Sequence, residues 1–253
     1  MAPVYADHPF PLVPTPNYKL KQDGKKPDDF DNCASLMGVI HNTILLGLNS
    51  IYLQAPNMTA KDQKAFCAYI LKWHEFLDLH HKNEELEFFP TVERLAGEKG
   101  IMEPNVEQHH TFEPGINSFI SYVKDCQNGK ESYDGGKISQ MIDKFGSTLA
   151  GHLADEIPTL LSLKKYGDKM DTLLKAFDEE GAKSMKAMGL GGLCFFFANQ
   201  DLHYEEDLYA DFPPAPGFIK FLCRNVVWWS NTELYKFSSC DRLGNMRPLY
   251  AAQ

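Results

Sequence analysis

The sequence has no run of basic residues, no C-x-x-C pair and no long apolar stretch. Its 25 Lys and Arg against 34 Asp and Glu give a net charge of −9, which disfavours nucleic acid and anionic membranes as partners. Six scattered cysteines indicate neither a disulfide framework nor a zinc ribbon. No run approaches the roughly 18 apolar residues of a membrane span. Without a secretory signal pattern, we expect an intracellular, cytoplasmic protein.

The distribution of proline and of apolar residues divides the chain into three parts. Residues 1–30 contain six of the 15 prolines, which predicts an irregular N-terminal arm. Residues 31–168 contain four stripes of apolar residues at alternating spacings of three and four, typical of bundle helices. Their short connections favour antiparallel neighbours, so we predict an all-α, up-and-down four-helix bundle. Residues 169–253 are too aromatic for a linker and are predicted to be a helical and irregular extension packed on the bundle.

Punctuating residues predict where the bundle helices begin and end. Pro56 and Pro90 are predicted to end the first and second helices, because proline removes a backbone donor. Asn105 and Gln108 have the spacing of an N-cap and its reciprocal partner at the start of the third helix. The glycine pair 135–136 separates the third helix from the fourth.

A histidine is followed four residues later by a glutamate at four places, where the chain's composition predicts about 0.6 by chance. The pairs are His80/Glu84, His81/Glu85, His109/Glu113 and His152/Glu156. A separation of four places both side chains on one face of a helix. Three of these pairs lie in the apolar stripes of three different helices, where unpartnered charges are costly to bury. A cation bound between them is the simplest compensation.

The first helix adds another histidine on its apolar stripe, and together these residues form a candidate metal centre. The predicted ligands are His41, His80, Glu84, His109, Glu113, His152 and Glu156. Four imidazoles and three carboxylates are too many for one tetrahedral zinc ion. They suit two ions with bridging carboxylates, as in di-iron or di-manganese centres of bundle cores. A lone histidine on an apolar stripe is usually a hydrogen-bonded core residue, but four on successive helices favour metal binding.

Neighbours of the candidate ligands are predicted to have other roles. His81 and His110 point about 100° away from the adjacent ligands on a helix, which places them behind the ligands or at the surface. Pro114 and Pro158 each remove one backbone hydrogen bond close to a candidate carboxylate. We therefore expect the third and fourth helices to bend beside the site.

Four segments of the sequence resemble the ligand-bearing segments of hemerythrin-like HHE cation-binding domains. In chain order they are HNTILLGLNSIYLQAP, HHKNEELEFFP, NVEQHHTFEPG and GHLADEIPTL. The resemblance covers residues 31–165 and is strongest to longer, fungal-type members, whose extension resembles FPPAPGF and KFSSCDRLGNMRPLY here. It implies a centre of two iron ions, with manganese as the alternative metal and dioxygen as a partner. It also implies that His41 is a terminal ligand.

One position departs from the pattern of the oxygen-carrying members, which have histidine where this chain has Glu113. A carboxylate in place of an imidazole makes the site more anionic. That change favours higher oxidation states of iron over reversible dioxygen binding.

Three functions remain open at this point. The first is a di-iron oxidoreductase that activates dioxygen and oxidises a small organic substrate beneath the aromatic extension. The second is a hemerythrin-like protein that binds, stores or senses oxygen or iron without turnover. The third is a scaffold with a vestigial site, which the complete ligand set disfavours. The rings of Phe195, Phe196, Phe197, Trp228 and Trp229 are expected to close the core, line a pocket or form a dimer interface.

Overall fold

The computed structural model describes residues 2–252, in which helices dominate and the one extended pairing is an isolated bridge between Cys240 and Met246. The helices are α1 (Pro16–Gln22), α2 (Asp29–Gln54), α3 (Gln63–Asn83), α4 (Phe89–Ala96), α5 (Glu103–Gln127), α6 (Gly135–Asp143), α7 (Gly146–Ser162), α8 (Leu173–Asn199), α9 (Gly217–Leu222), α10 (Trp228–Ser230) and α11 (Thr232–Tyr235). Two 3₁₀ segments (Ala55–Asn57 and Leu163–Met170) and two π turns (Glu84–Phe88 and Cys223–Val227) link some of them.

Helices α2, α3, α5 and α7 form the four-helix bundle. Both α2 and α5 pack against α3 and α7, so the four helices close a ring around one core. Ile44, Trp73, Ile120 and Leu149, one from each helix, are almost completely buried in it. The predicted all-α bundle is therefore confirmed.

Helix α2 is the central element of the molecule. The stretch Asp29–Asn57 is long and apolar enough to cross a membrane, yet 78% of its apolar window is buried inside the fold. Other segments of the same chain surround α2, because α3 and α7 lie on one side and the N-terminal arm and α8 cover its remaining surface. Its composition thus reflects a core position in this fold.

The N-terminal arm is more regular than the sequence predicts, because it contains α1 and lies along α2. Asn42 and Asn49, seven residues apart on one face of α2, donate side-chain hydrogen bonds to backbone carbonyls of the arm. The backbone amides of Phe10 and Val13 donate in return to the same two side chains. These bonds satisfy buried backbone groups that have no partner of their own.

The predicted end of the first helix is confirmed, but three other boundaries are wrong. Pro90 lies in the first turn of α4, where proline is well tolerated, and the π turn carries the chain helically from α3 into α4. Asn105 is not a cap, because α5 already begins at Glu103. Phe145 interrupts the fourth stripe and separates α6 from α7. The prolines at 114 and 158 lie inside α5 and α7, which both continue past them.

The extension packs on the bundle chiefly through α8, which lies against α2 and α3. A close approach at Gly47 makes this possible, because a Cβ there would lie 2.8 Å from Trp73 Cδ1 and 3.5 Å from Phe195 Cζ. Gly189 interrupts α8 with φ +59° and ψ −172°. After the interruption, the helix turns its Phe195, Phe196 and Phe197 rings into the core.

Candidate metal centre

The bundle brings six of the seven predicted ligands together inside its core, contributed by all four helices. They are His41 from α2, His80 from α3, Glu84 from the π turn, His109 from α5, and His152 and Glu156 from α7. Their side chains are at most 9% exposed where they approach one another. The π turn belongs to a type of helix irregularity that is frequent at functional sites.

These side chains form two groups that share one carboxylate. In the first group, donor atoms of His81, Glu84, His109 and His152 all lie within 4.8 Å of one another. His41, His80 and Glu84 form the second group by the same measure. Glu84 directs Oε1 to His80 Nε2 at 3.0 Å and Oε2 to His109 Nε2 at 3.7 Å. Glu84 would therefore be able to offer one oxygen to each group.

The outer nitrogen of three imidazoles is fixed by a hydrogen-bond acceptor. His41 Nδ1 donates to the Leu153 carbonyl at 2.7 Å, and His109 Nδ1 donates to Glu85 Oε1 at 2.6 Å. His152 Nδ1 lies 2.9 Å from Gln108 Oε1. Protons held at Nδ1 leave the Nε2 lone pairs directed into the site, the arrangement seen in metal-binding histidines.

The inner nitrogens face each other closely. His41 Nε2 lies 3.1 Å from His80 Nε2, and His109 Nε2 lies 2.9 Å from His152 Nε2. In the His109–His152 pair both rings are neutral, so protonation at Nδ1 brings two lone pairs together, which is unfavourable without a cation near both. Donors bound to one ion at about 2.1 Å lie at most about 4.2 Å apart, so these spacings suit shared coordination.

The carboxylates show independently whether the residues of this site suit bound metal ions. All four oxygens of Glu84 and Glu156 are buried and make no hydrogen bond within the described residues. Two carboxylates without donors in a core would be costly to keep charged. Glu156 Oε2 lies 3.3 Å from His41 Nε2, beside the second group. The buried oxygens are thus suited to metal ions, which would provide the missing electrostatic partners.

Burial and charge set the protonation of the site. Burial lowers the pKa of His80 to about 4 and that of His152 to about 3, and it also lowers the pKa of His109. These imidazoles are therefore neutral at pH 7, as metal ligation requires. Burial, together with the Glu156 carboxylate, raises the pKa of Glu84. Burial alone would raise the pKa of Glu156 and lower that of His41, but the contact between the two lowers the pKa of Glu156 to about 2 and raises the pKa of His41.

The prediction of Glu113 as a ligand is corrected by its position. Its side chain is 60% exposed and lies 3.7 Å from His110 Nδ1 at the surface of α5. The buried face of α5 passes instead through His109, Phe112 and Ile116. Because Phe112 occupies the inward position after His109, the carboxylate at 113 is turned out to solvent.

Sequence reasoning placed His81 outside the ligand set, but the structure puts it in the first group. Its ring stacks on His109 with centroids 4.2 Å apart, and its buried Nε2 has no hydrogen-bond partner. Burial lowers the pKa of His81 well below its usual value, so the ring is neutral. The doubled pattern of two histidines at the end of α3 and two glutamates in the following π turn contained a signal for this role, because Glu85 also reaches the site through His109.

With His81 included, the candidate donor set is five imidazoles and two carboxylates. This mixture of nitrogen and oxygen donors suits iron or manganese. The described residues thus fit a pair of such ions, with His41, His80 and Glu156 at one end, Glu84 between, and His81, His109 and His152 at the other.

A cavity of about 640 Å³ lies beside the centre, between α2, α3 and α8. His80 and Glu84 form part of its wall, whereas most of the remaining lining is apolar. Phe177, Met185 and Phe196 of the extension contribute to the lining, so α8 builds one side of the cavity. Pockets of this size and character are typical of small-molecule sites.

The fold and the centre define a helical-bundle protein with a candidate cation site, and comparison with known families agrees. Residues 36–163, just over half of the chain, match the family model of the hemerythrin HHE cation binding domain. The chain therefore belongs to this family and is a metal-binding protein of the hemerythrin type.

One curated relative extends the similarity beyond the bundle. Over 244 residues the chain is 29% identical to the "Dimeric xanthone biosynthesis cluster protein R11" of Cryptosporiopsis sp. (strain 8999). The similarity covers 95% of this chain and 90% of that protein, so it includes the extension. No solved structure gives a significant match.

Proposed function

We propose that this protein holds a pair of iron ions, activates dioxygen and oxidises a small organic molecule. The cavity against His80 and Glu84 is the observation that carries the proposal. A protein that only binds oxygen or stores iron has no need of a space of about 640 Å³ beside its metal centre. The relative whose name refers to a biosynthesis cluster supports the same proposal, because its similarity to this chain includes α8, which forms one side of the cavity.

Two bound iron ions would supply the electrons that dioxygen accepts. The chain's own residues position the reaction. Glu85 and Gln108 hold His109 and His152 in the orientation that directs Nε2 inward. His80 and Glu84 form the boundary between the centre and a cavity whose lining is mostly apolar.

The alternative function, oxygen or iron binding without turnover, is favoured by one observation. Because Glu113 is exposed and the half-buried His81 takes its place, the donor set is richer in nitrogen than the sequence predicts. The electrostatic argument that a third carboxylate favours oxidation therefore no longer applies.

Oxygen uptake separates the two functions. The iron-loaded protein is reduced without air and then given a known amount of dioxygen, with and without candidate aromatic substrates. We expect irreversible uptake that a substrate accelerates and that yields an oxidised product. Dioxygen recovered quantitatively under vacuum, with no product from any substrate, would establish the binding function instead.

Two histidine variants calibrate the measurement. His152→Ala should abolish uptake along with much of the bound iron, because it removes an inward donor. His203→Ala removes an exposed histidine distant in sequence from the cluster and should leave uptake unchanged. Iron content is measured on each preparation before the assay.

A further inference from the structure

The lining of the cavity combines rings, sulfur atoms and a few acidic groups, and it identifies a class of ligand. Five phenylalanines and three methionines line the space. Phe196 meets Phe76 edge-to-face at 5.8 Å and Phe212 at 6.0 Å, which forms one aromatic wall. Phe88 and Phe177 form another, with centroids 5.6 Å apart.

Aromatic walls of this kind suit a flat ring system. Rings bind other rings by stacking or by edge-to-face contact, and each such pair contributes about 0.5–1.5 kcal/mol beyond the buried area. The thioethers of Met37, Met185 and Met188 adapt to the ligand's outline and also make favourable contacts with rings. The apolar part of the site therefore favours an aromatic ligand over an aliphatic chain.

The charged groups of the lining exclude one kind of ligand. The lining includes Asp178, Glu180, Asp211 and Glu84 but no lysine or arginine. Glu180 is paired with Lys183, whereas neither Asp178 nor Asp211 has an ion-pair partner within the described residues. Away from the metal centre, an anionic group near Asp178 or Asp211 would be repelled, and the lining offers no lysine or arginine to pair with it.

Polar atoms near the metal centre favour a hydroxyl group on the ligand. Carboxylates accept hydrogen bonds from a hydroxyl. The Asn83 amide donates to Ser184 Oγ, which leaves the Ser184 hydroxyl hydrogen free to donate to a ligand oxygen. Asn83 directly precedes Glu84, so this pair lies at the end of the cavity next to the centre.

We propose that the cavity binds a neutral, hydroxylated aromatic compound, with its rings between the phenylalanine walls and its hydroxyl towards Asn83 and Glu84. The inference deepens the proposed function, since it takes the cavity to be the substrate site. Binding can nevertheless be measured without turnover, so the two proposals fail separately.

Three probes with the same two-ring skeleton test the ligand class on the full-length protein by titration calorimetry. They are 2-naphthol, 2-naphthoate and (2-naphthyl)methylammonium. We expect 2-naphthol to bind about tenfold or more tightly than 2-naphthoate, because the carboxylates oppose the anion. It should also bind more tightly than the ammonium probe, because the cations of the proposed metal centre would repel an ammonium group at the end of the cavity next to Asn83 and Glu84. Equal binding of naphthol and naphthoate, or preference for either charged probe, would overturn the proposal.

A pair of variants on α8 locates the binding. Gly181 lines the cavity and has no atom within 4 Å of an added Cβ, so Gly181→Phe fills the cavity without weakening the helix. It should reduce naphthol affinity about tenfold or more. Ala187→Phe changes an exposed position outside the lining and should leave affinity within about twofold.

The outcomes are distinct from those of the oxygen experiment. Naphthol binding that Gly181→Phe weakens supports the ligand class even if no product forms. Oxidation of some other compound, with no naphthol binding, refutes the ligand class and leaves the proposed oxidase intact. Naphthol binding that both variants leave unchanged would place the probe elsewhere and refute the assignment to this cavity.

Discussion

His80 and His81 let a single helix serve both halves of the candidate centre. His80 belongs with His41, whereas His81 belongs with His109 and His152. Adjacent residues diverge by about 100° around a helix axis. Since α3 packs against α2 on one side and α5 on another, two directions from this helix lead into the same buried site.

Replacing His81 by alanine should lower the metal content from about two ions per chain to about one, because the first group loses a donor. Glu113→Ala is the matched control, since Glu113 was the competing candidate and is exposed. Plasma mass spectrometry of freshly purified, iron-supplemented protein measures both. If the two variants contain equal amounts of metal, the assignment of His81 as a ligand is wrong.

At this scale, six of the seven residues predicted as ligands lie together in the structure, whereas the prediction misjudged one turn of α5. Histidines on apolar stripes predicted the cluster of side chains that the fold brings together, because burying several titrating groups is rarely accidental. Helix geometry allows two residues to share the inward face of His109: Glu113, four residues later, and Phe112, three residues later. Phe112 is 2% exposed and Glu113 is largely exposed, so burial of the apolar ring decided the rotation.

Helix α8 performs two tasks on either side of Gly189. The segment before Gly189 is largely half-exposed and lines the cavity, whereas the segment after it is buried against α2 and α3. With φ +59° and ψ −172°, Gly189 has a backbone conformation that is essentially restricted to glycine. The interruption thus lets one helix follow two directions.

Gly189→Ala should lower the free energy of unfolding by about 1–3 kcal/mol, because alanine is strained in this conformation. Gly191→Ala is the control, since that residue has open space around it and no positive φ. Alanine there should be neutral or stabilise the helix by up to about 1 kcal/mol. Urea unfolding followed by circular dichroism measures both. Similar stabilities would mean that the interruption at Gly189 carries no strain for a side chain.

Element boundaries were harder to predict than the elements themselves. Pro90 is as acceptable in the first turn of a helix as after its last turn, so the sequence alone did not decide between the two. Here the π turn at Glu84–Phe88 joins α3 to α4, which begins at Phe89, so Pro90 lies at the start of a helix. Asn105 and Gln108 have capping spacing, yet Gln108 instead accepts from His152, a partner that only the folded bundle supplies.

The whole molecule is built as a bundle whose outer face is closed by its extension. Phe195 lies 5.6 Å from Tyr69 and 5.9 Å from Phe76, measured between ring centroids, and Phe237 lies 5.1 Å from Phe66. The aromatic content predicted a packed extension, but its place against α2 and α3 depends on contacts between distant residues. The same segment closes the core and lines the cavity, so two of the three expected uses of its rings apply.

Two aromatic residues of the extension should therefore differ strongly in their effect on stability. Phe195 is fully buried, so Phe195→Ala should lower the free energy of unfolding by about 3–5 kcal/mol through lost contacts and a cavity. Trp229 is 60% exposed, and Trp229→Ala should change stability by no more than about 0.5 kcal/mol. Both values come from urea unfolding of the full-length chain. If Phe195→Ala unfolds as the unmodified protein does, the bundle closes its core without this ring.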